Sequence, residues 1–166
     1  GALASGGSVT NASARQVTIL SAGNDSSKSF NIVGTDVNGA ALTENLTGAN
    51  AGTATSTGYF KTIASITAVG NPAGNVSAGI NANAAGVVFA GRTRLQGFSF
   101  VSGGTAGIAN LRNGGVTGTE VIQFRSIGTD NSSDDPFIPD EGVLFKDGCY
   151  VTFVVPQFDL MMFYHA

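Results

Sequence analysis

Apolar and polar residues alternate with a period of two along much of the chain, the spacing of a strand with one buried face. In residues 16–20 (QVTIL), Val17 and Ile19 share one face while Gln16 and Thr18 share the other. Residues 29–33 (SFNIV) set Phe30 and Ile32 together in the same way. Asn38-Gly39 then gives the strongest hairpin signal in the chain, because both residues tolerate positive φ. A two-residue loop would put Phe30 and Ile32 on the face of Asn45 and Thr47. A three-residue loop, Val37-Asn38-Gly39 with Gly39 left-handed, puts them with Leu42 and Leu46. One residue of slip exchanges the faces, so the three-residue loop is predicted. It turns Glu44 inward beside Ile32, where an edge position or a polar partner must accommodate it.

A low-complexity run, residues 48–58 (GANAGTATSTG), separates this hairpin from a long predicted strand at 59–69 (YFKTIASITAV). There Phe60 and Ile66 have one parity, Ile63 and Val69 the other, which predicts partial cover on both faces. Asn71-Pro72 ends that strand. Residues 76–80 (VSAGI) predict a short strand and 81–86 (NANAAG) a loop. From Val87 onward, VVFA, RLQGFSF, GIANLR and EVIQFRSI are strand candidates between Gly-rich turns. An acidic loop follows at 128–142 (GTDNSSDDPFIPDEG), then the closing strands VLF, CYVTFVV and DLMMFYH. The last two are apolar on both faces, the pattern of a strand buried between layers.

No segment carries a helix-period pattern with caps. The expectation is an all-β, antiparallel, β-sandwich or jelly-roll-like chain. It divides into a flexible arm at 1–14, an N-terminal β subdomain at 15–86 and a C-terminal β-sandwich subdomain at 87–166. The boundary lies near residues 84–91.

Composition narrows the function classes. Charged residues make up 11% of the 166, well below the usual ~25%. Small and hydroxyl- or amide-bearing residues replace them, which suits turns and polar strand faces. No run of 18 apolar residues exists to form a membrane-spanning helix. A net charge of −3 with dispersed basic residues lacks the cationic patch that nucleic acid requires. Residues 1–8 lack the basic end and apolar run of a signal peptide. A start at Gly1 without Met predicts processing or a preceding segment.

The residues able to do chemistry are few. His165 is the one histidine, and no G-x-S-x-G elbow, phosphate loop or dinucleotide fingerprint accompanies it, so no enzyme is expected. Cys149 has no partner cysteine for a disulfide or zinc site, and reads as a small core hydrophobe. Asp130, Asp134 and Asp135, with Asn131 and loop carbonyls, could supply oxygens to calcium. Their spacing and that of Asp140, Glu141 and Asp147 does not match an EF-hand, so a solvated turn without a cofactor is the expectation. Paired carboxylates for glycoside hydrolysis are disfavoured without tryptophan. Arg92 and Arg94 fall on one strand face, with Arg112 and Arg125 on later strands. They could meet an acidic neighbouring subunit, although a solvated face with cross-strand pairs is the commoner use. The doubly apolar C-terminal strands offer Val151, Phe153, Leu160, Met162 and Tyr164 as interface candidates.

Residues 15–67 resemble a segment common in virion proteins of tailed bacteriophages, especially marine and cyanobacterial ones. The shared wording occupies Arg15–Ile19, Asn24–Ser26, Phe30–Gly39, Leu42–Gly52 and Ser56–Ile66. The closing FIPDEGVLFKDGCYVTF is similar to endings in the same kind of protein. The resemblance implies a structural subunit, a homotrimer, decorating the capsid by binding the major capsid protein or other virion subunits. It carries no catalytic residue across. A tail-fibre or tail-spike part for host attachment is the first alternative, and a carbohydrate-binding β-sandwich module the second.

Overall fold

The computed structural model describes residues 8–102, 104–127, 133–134, 138–154 and 158–165. The chain falls into two compact units, Gly1–Ala82 and Asn83–Ala166, and every element described is a strand.

The first unit holds β1 (Val9–Ser21), β2 (Ser29–Thr35), β3 (Ala41–Thr47), β4 (Thr53–Val69) and the beginning of β5 (Val76–Phe89). Their hydrogen-bonded order is β3-β2-β4-β1-β5. The β2–β3 hairpin has the predicted register: Phe30 lies opposite Leu46, Ile32 opposite Glu44 and Gly34 opposite Leu42. The Asp36 N–H donates to the Ala40 carbonyl at 2.8 Å, closing a three-residue loop. Gly39 takes a φ of 82°, a conformation that costs glycine nothing. The Asp36 carboxylate accepts the N–H groups of Asn38 and Ala40 at 2.8 and 2.9 Å.

Glu44 is accommodated by a polar partner. Its Oε1 accepts the Thr57 N–H and its Oε2 the Gly58 N–H, both at 2.8 Å. These donors belong to a stretch of β4 where pairing with β1 slips, between Gln16–Tyr59 and Thr18–Thr55. Ser56 serves the same bulge: its Oγ accepts from Val17 N (2.8 Å) and donates to the Gly58 carbonyl (2.9 Å). A bulge frees backbone donors from the ladder, and the inward carboxylate takes two of them. Charge-assisted bonds of this kind are the strong ones. Glu44→Ala is therefore expected to destabilise the unit by about 1–3 kcal/mol. Urea unfolding followed by circular dichroism checks this, with Glu44→Gln expected to recover part of the loss.

Val17, Ile19, Phe30, Ile32, Phe60 and Ile63 are buried together in this unit. Ile63 and Ile66 reach the same core, correcting the expectation that their opposite parities would part them. Ala64 is the cause: Ile63 pairs with Gly34 and Ser65 with Val33, leaving Ala64 as an extra residue that resets the alternation. The arm expected at 1–14 is also corrected, for residues 9–14 form the start of β1. Val9 pairs with Ile63 and Thr10 with Thr62, and buried Asn11 donates from Nδ2 to the Phe60 carbonyl at 3.0 Å. Small polar residues carry no hydrophobic period, yet backbone pairing and one amide hold them. Residues 1–7 lie outside the described residues.

Similarly, the loop expected at 81–86 is part of the continuous 14-residue β5. Ala84 and Ala85 are buried against β11 (Cys149–Val154), with Ala85 opposite Thr152. Alanines give little pattern signal but fit close strand packing.

The second unit continues with β6 (Thr93–Ser102), β7 (Ala106–Asn113), β8 (Thr119–Ile127), β9 (Ser133–Asp134), β10 (Val143–Phe145), β11 and β12 (Phe158–His165). One antiparallel sheet runs β5-β11-β7-β8. The other runs β10-β6-β12, with β9 also pairing β6. Leu95, Phe100 and Phe145 from the second sheet pack with Leu111, Phe124 and Val151 from the first in one core. Aromatic contacts bind the layers: Phe98 meets Phe124 edge-on with centroids 4.2 Å apart, and Phe100 stacks on Phe124 at 6.3 Å. Such pairs add about 0.5–1.5 kcal/mol beyond burial. The all-β antiparallel sandwich class is thus observed. Both parities of β11 are buried over Cys149–Thr152, as expected. By contrast β12, also expected to be buried on both faces, exposes Met161 and Phe163 and is an edge strand among the described residues.

Candidate assembly surface

β12 follows the sequence FDLMMFYH without a proline or lysine. Against β6, Leu160 lies opposite Phe100 and Met162 opposite Phe98. All four belong to or pack against the inter-sheet core. The alternate residues take the other face: Met161 opposite Ser99 and Phe163 opposite Gly97. Their small neighbours leave them standing clear, 62% and 55% exposed, with Val101 nearby on the same sheet at 38%. Pairing slips between Phe163 and Tyr164 because β6 has an extra residue there, Gln96. The slip brings Tyr164 beside Phe89, ring centroids 5.6 Å apart. Single exposed apolar residues are ordinary, but an apolar row on an edge strand is a pairing or docking surface.

This arrangement corrects the interface candidates. Val151 is buried in the core of its own unit, and Phe153, Leu160 and Met162 pack against that core. Only Tyr164 among them is substantially exposed. Met161 and Phe163 occupy the outward positions that pattern reading missed. From Leu160 to Tyr164 both parities are apolar, so the sequence signal for the outward face is confined to Asp159 and His165, which share the parity of Met161 and Phe163. The small Gly97 and Ser99 opposite are visible only in the register.

The arginines do not form a strip. Arg92 lies in the bend before β6, not on the strand. Arg94 pairs with Glu141 at 2.9 Å. Arg112 bonds the Gly118 carbonyl (3.0 Å) and Thr152 Oγ1 (3.3 Å) and approaches Glu120 at 3.4 Å. Arg125 donates to Gln123 Oε1 at 2.6 Å. Exposed pairs of this kind contribute about 0–1 kcal/mol, and they occupy the guanidinium groups locally.

Of the calcium candidates, Asp130, Asp135 and the side chain of Asp134 lie outside the described residues. Glu141 is held by Arg94, and Asp147 Oδ2 accepts the Asn113 amide at 2.9 Å. Among the described residues no group of three or more metal-ligating side chains gathers. Asp25 is fully buried, with Oδ1 accepting the Ala73 N–H at 2.7 Å, so it ties the β4–β5 connection to the turn after β1.

Cys149 is buried in the sandwich core, and burial pushes its thiol up to about 12. The thiolate is the nucleophile. Native protein at pH 8 is therefore expected to react with iodoacetamide about a thousandfold more slowly than urea-unfolded protein. Mass spectrometry of quenched samples measures the ratio. The raised value also gives a sign for stability. The neutral thiol's contribution is complete below the unfolded value of 9.0 and is lost as pH rises toward about 12. Cys149→Ala removes that alkaline limb from the stability profile.

Comparison with protein-family models, with curated proteins and with solved structures returned no match to the chain.

Proposed function

We propose that the chain is a non-enzymatic structural part of a tailed-phage virion, a decoration (cement) protein that stabilises the capsid. The observation that carries this reading is the phage-like wording of residues 15–67. It spans β1 to β4, and its residues serve as turn, bulge and core: Asp36 and Gly39 at the hairpin, Glu44 at the bulge, Phe30 and Phe60 inside. A segment whose residues serve the architecture suits a subunit whose work is to hold a particle together. The exposed apolar row on β12 supports contact with other virion subunits, including further copies of the chain. The resemblance carries a homotrimer for that contact, and the major capsid protein as its support. Repetition over a capsid lattice would turn weak single contacts into strong overall binding.

Addition of purified protein to expanded, undecorated capsids tests the reading. Saturable binding at fixed stoichiometry, with raised capsid resistance to heat, is expected. Antibody labelling confined to the tail would replace the decoration reading with a fibre or spike component. Absence of the protein from purified virions would remove both.

A further inference from the structure

Asn38-Gly39, the pair that turns the β2–β3 hairpin, carries a second chemistry. An asparagine followed by glycine can close a five-membered ring, because glycine has no Cβ to obstruct the approach of its own backbone nitrogen. Among the described residues the chain has two such pairs, Asn38-Gly39 and Asn113-Gly114.

Their backbones are matched. The Gly39 N–H donates to the Asp36 carbonyl and the Gly114 N–H to the Gly148 carbonyl, both at 3.1 Å. Both glycines have a positive φ, 82° and 83°, so the attacking nitrogen is restrained alike in each. The side-chain amides differ. Asn113 is half-buried. Its Nδ2 donates to Asp147 Oδ2 at 2.9 Å, and its Oδ1 accepts the Asp147 N–H at 3.0 Å. Both ends of that amide must be released before its carbon can turn toward Gly114. Asn38 is exposed, and its bond to Asp36 runs through its backbone N–H. Its amide has no hydrogen-bond partner among the described residues. A Cβ added at Gly114 would meet the Asp147 side chain at 3.5 Å, whereas one at Gly39 meets nothing within 4 Å.

We propose that Asn38 is a site of spontaneous self-modification, converted to aspartate and isoaspartate in the folded protein while Asn113 is spared. The Gly39 nitrogen gives up its proton and attacks Asn38 Cγ. The new C–N bond closes a succinimide, the Cγ–Nδ2 bond breaks, and Nδ2 leaves as ammonia. Water then opens the ring. Cleavage of the new Cγ–N bond gives aspartate, and cleavage at the main-chain carbonyl gives isoaspartate, whose chain runs on through Cβ and Cγ. The sum is one water consumed and one ammonia released, with no oxidant or reductant.

The two products load the hairpin differently. Isoaspartate adds one atom to the main chain of a loop closed by the Asp36 N–H and the Ala40 carbonyl. The length of that loop sets Leu42 and Leu46 on the face of Phe30 and Ile32, and register is what keeps a face buried. Aspartate leaves the length unchanged. The chemistry belongs to the chain itself and is independent of the decoration reading.

Peptide mapping by mass spectrometry of native protein held in mildly alkaline buffer reads the conversion at each asparagine. Asn38 should convert at least about tenfold faster than Asn113, the ratio expected when charge-assisted hydrogen bonds must break before the ring closes. In urea-unfolded protein the two should convert at comparable rates. Asp147→Ala should bring Asn113 up toward the Asn38 rate and leave Asn38 unchanged. If that variant fails to fold, the native and urea-unfolded rates of the unaltered chain still decide. The purified isoaspartate form should unfold at lower urea than Asn38→Asp. Asn113 converting as fast as Asn38 in native protein would overturn the site. So would the same ratio in urea, or an Asn38 no faster than asparagines without a following glycine. An isoaspartate form as stable as Asn38→Asp would overturn its effect on the loop.

Discussion

Phe145→Ala is expected to lower the stability of the second unit by about 3–5 kcal/mol, the range for truncating a fully buried phenylalanine. Phe145 sits on β10, a strand of three residues whose one partner strand among the described residues is β6, where it lies opposite Thr93. The strand is too short to be stable through its ladder alone, so its ring anchors it. That ring is fully buried in the core shared by Leu95, Leu111 and Cys149. Truncation removes the transfer energy of the side chain and leaves a space that two apposed sheets cannot close easily. Against a total stability of about 5–15 kcal/mol for an ordinary domain, the loss is large. Urea unfolding measures it. Hydrogen exchange locates it: protection should fall across β6, β10 and β11 and persist in β2 and β4. A cost below about 1 kcal/mol would mean that the two sheets do not share this core.

How much of this was legible in the sequence depended on which residues carried the information. The hairpin was readable because Phe30, Ile32, Leu42 and Leu46 define a face, and only one loop length puts all four on it. Even the apparent defect, Glu44, followed from that register. Its partner could not be read, because Thr57 and Gly58 donate through backbone groups that a bulge releases, and N–H groups leave no trace in a residue pattern. The same limit explains the first strand and β5. Asn11, Ala84 and Ala85 are set by pairing and close packing, and small residues there resemble loop or linker. At β12 the pattern failed differently. Both parities are apolar from Leu160 to Tyr164, and only Asp159 and His165 at the ends mark the parity of Met161 and Phe163 as the polar one, a weaker signal than the apolar run between them. Leu160 and Met162 pack against Phe98 and Phe100.

The bulge at Ala64 gives the second large effect. Gly34→Ala is expected to destabilise the first unit by about 3 kcal/mol or more, the upper end for forced overpacking. The sign is the informative part. In a regular strand, alanine in place of glycine usually stabilises by about 0.4–1 kcal/mol, because the unfolded chain loses freedom. Gly34, however, lies between Leu42 on β3 and Ile63 on β4, where β4 carries its extra residue. A Cβ built there overlaps the Thr62 carbonyl oxygen, a backbone atom with no side-chain freedom to yield. Relieving the overlap would push β4 outward just where Ile63 and Ile66 enter the core, so the bulge and the burial of both isoleucines depend on the missing side chain. Gly39→Ala is the control. Its φ of 82° is unfavourable to alanine, but no atom lies within 4 Å of an added Cβ. That substitution should cost only about 1 kcal/mol. Chemical denaturation of the two variants side by side decides the matter. If Gly34→Ala proves neutral or stabilising, β2 and β4 pair without the bulge, and the alternate parities of β4 must be buried by some other means.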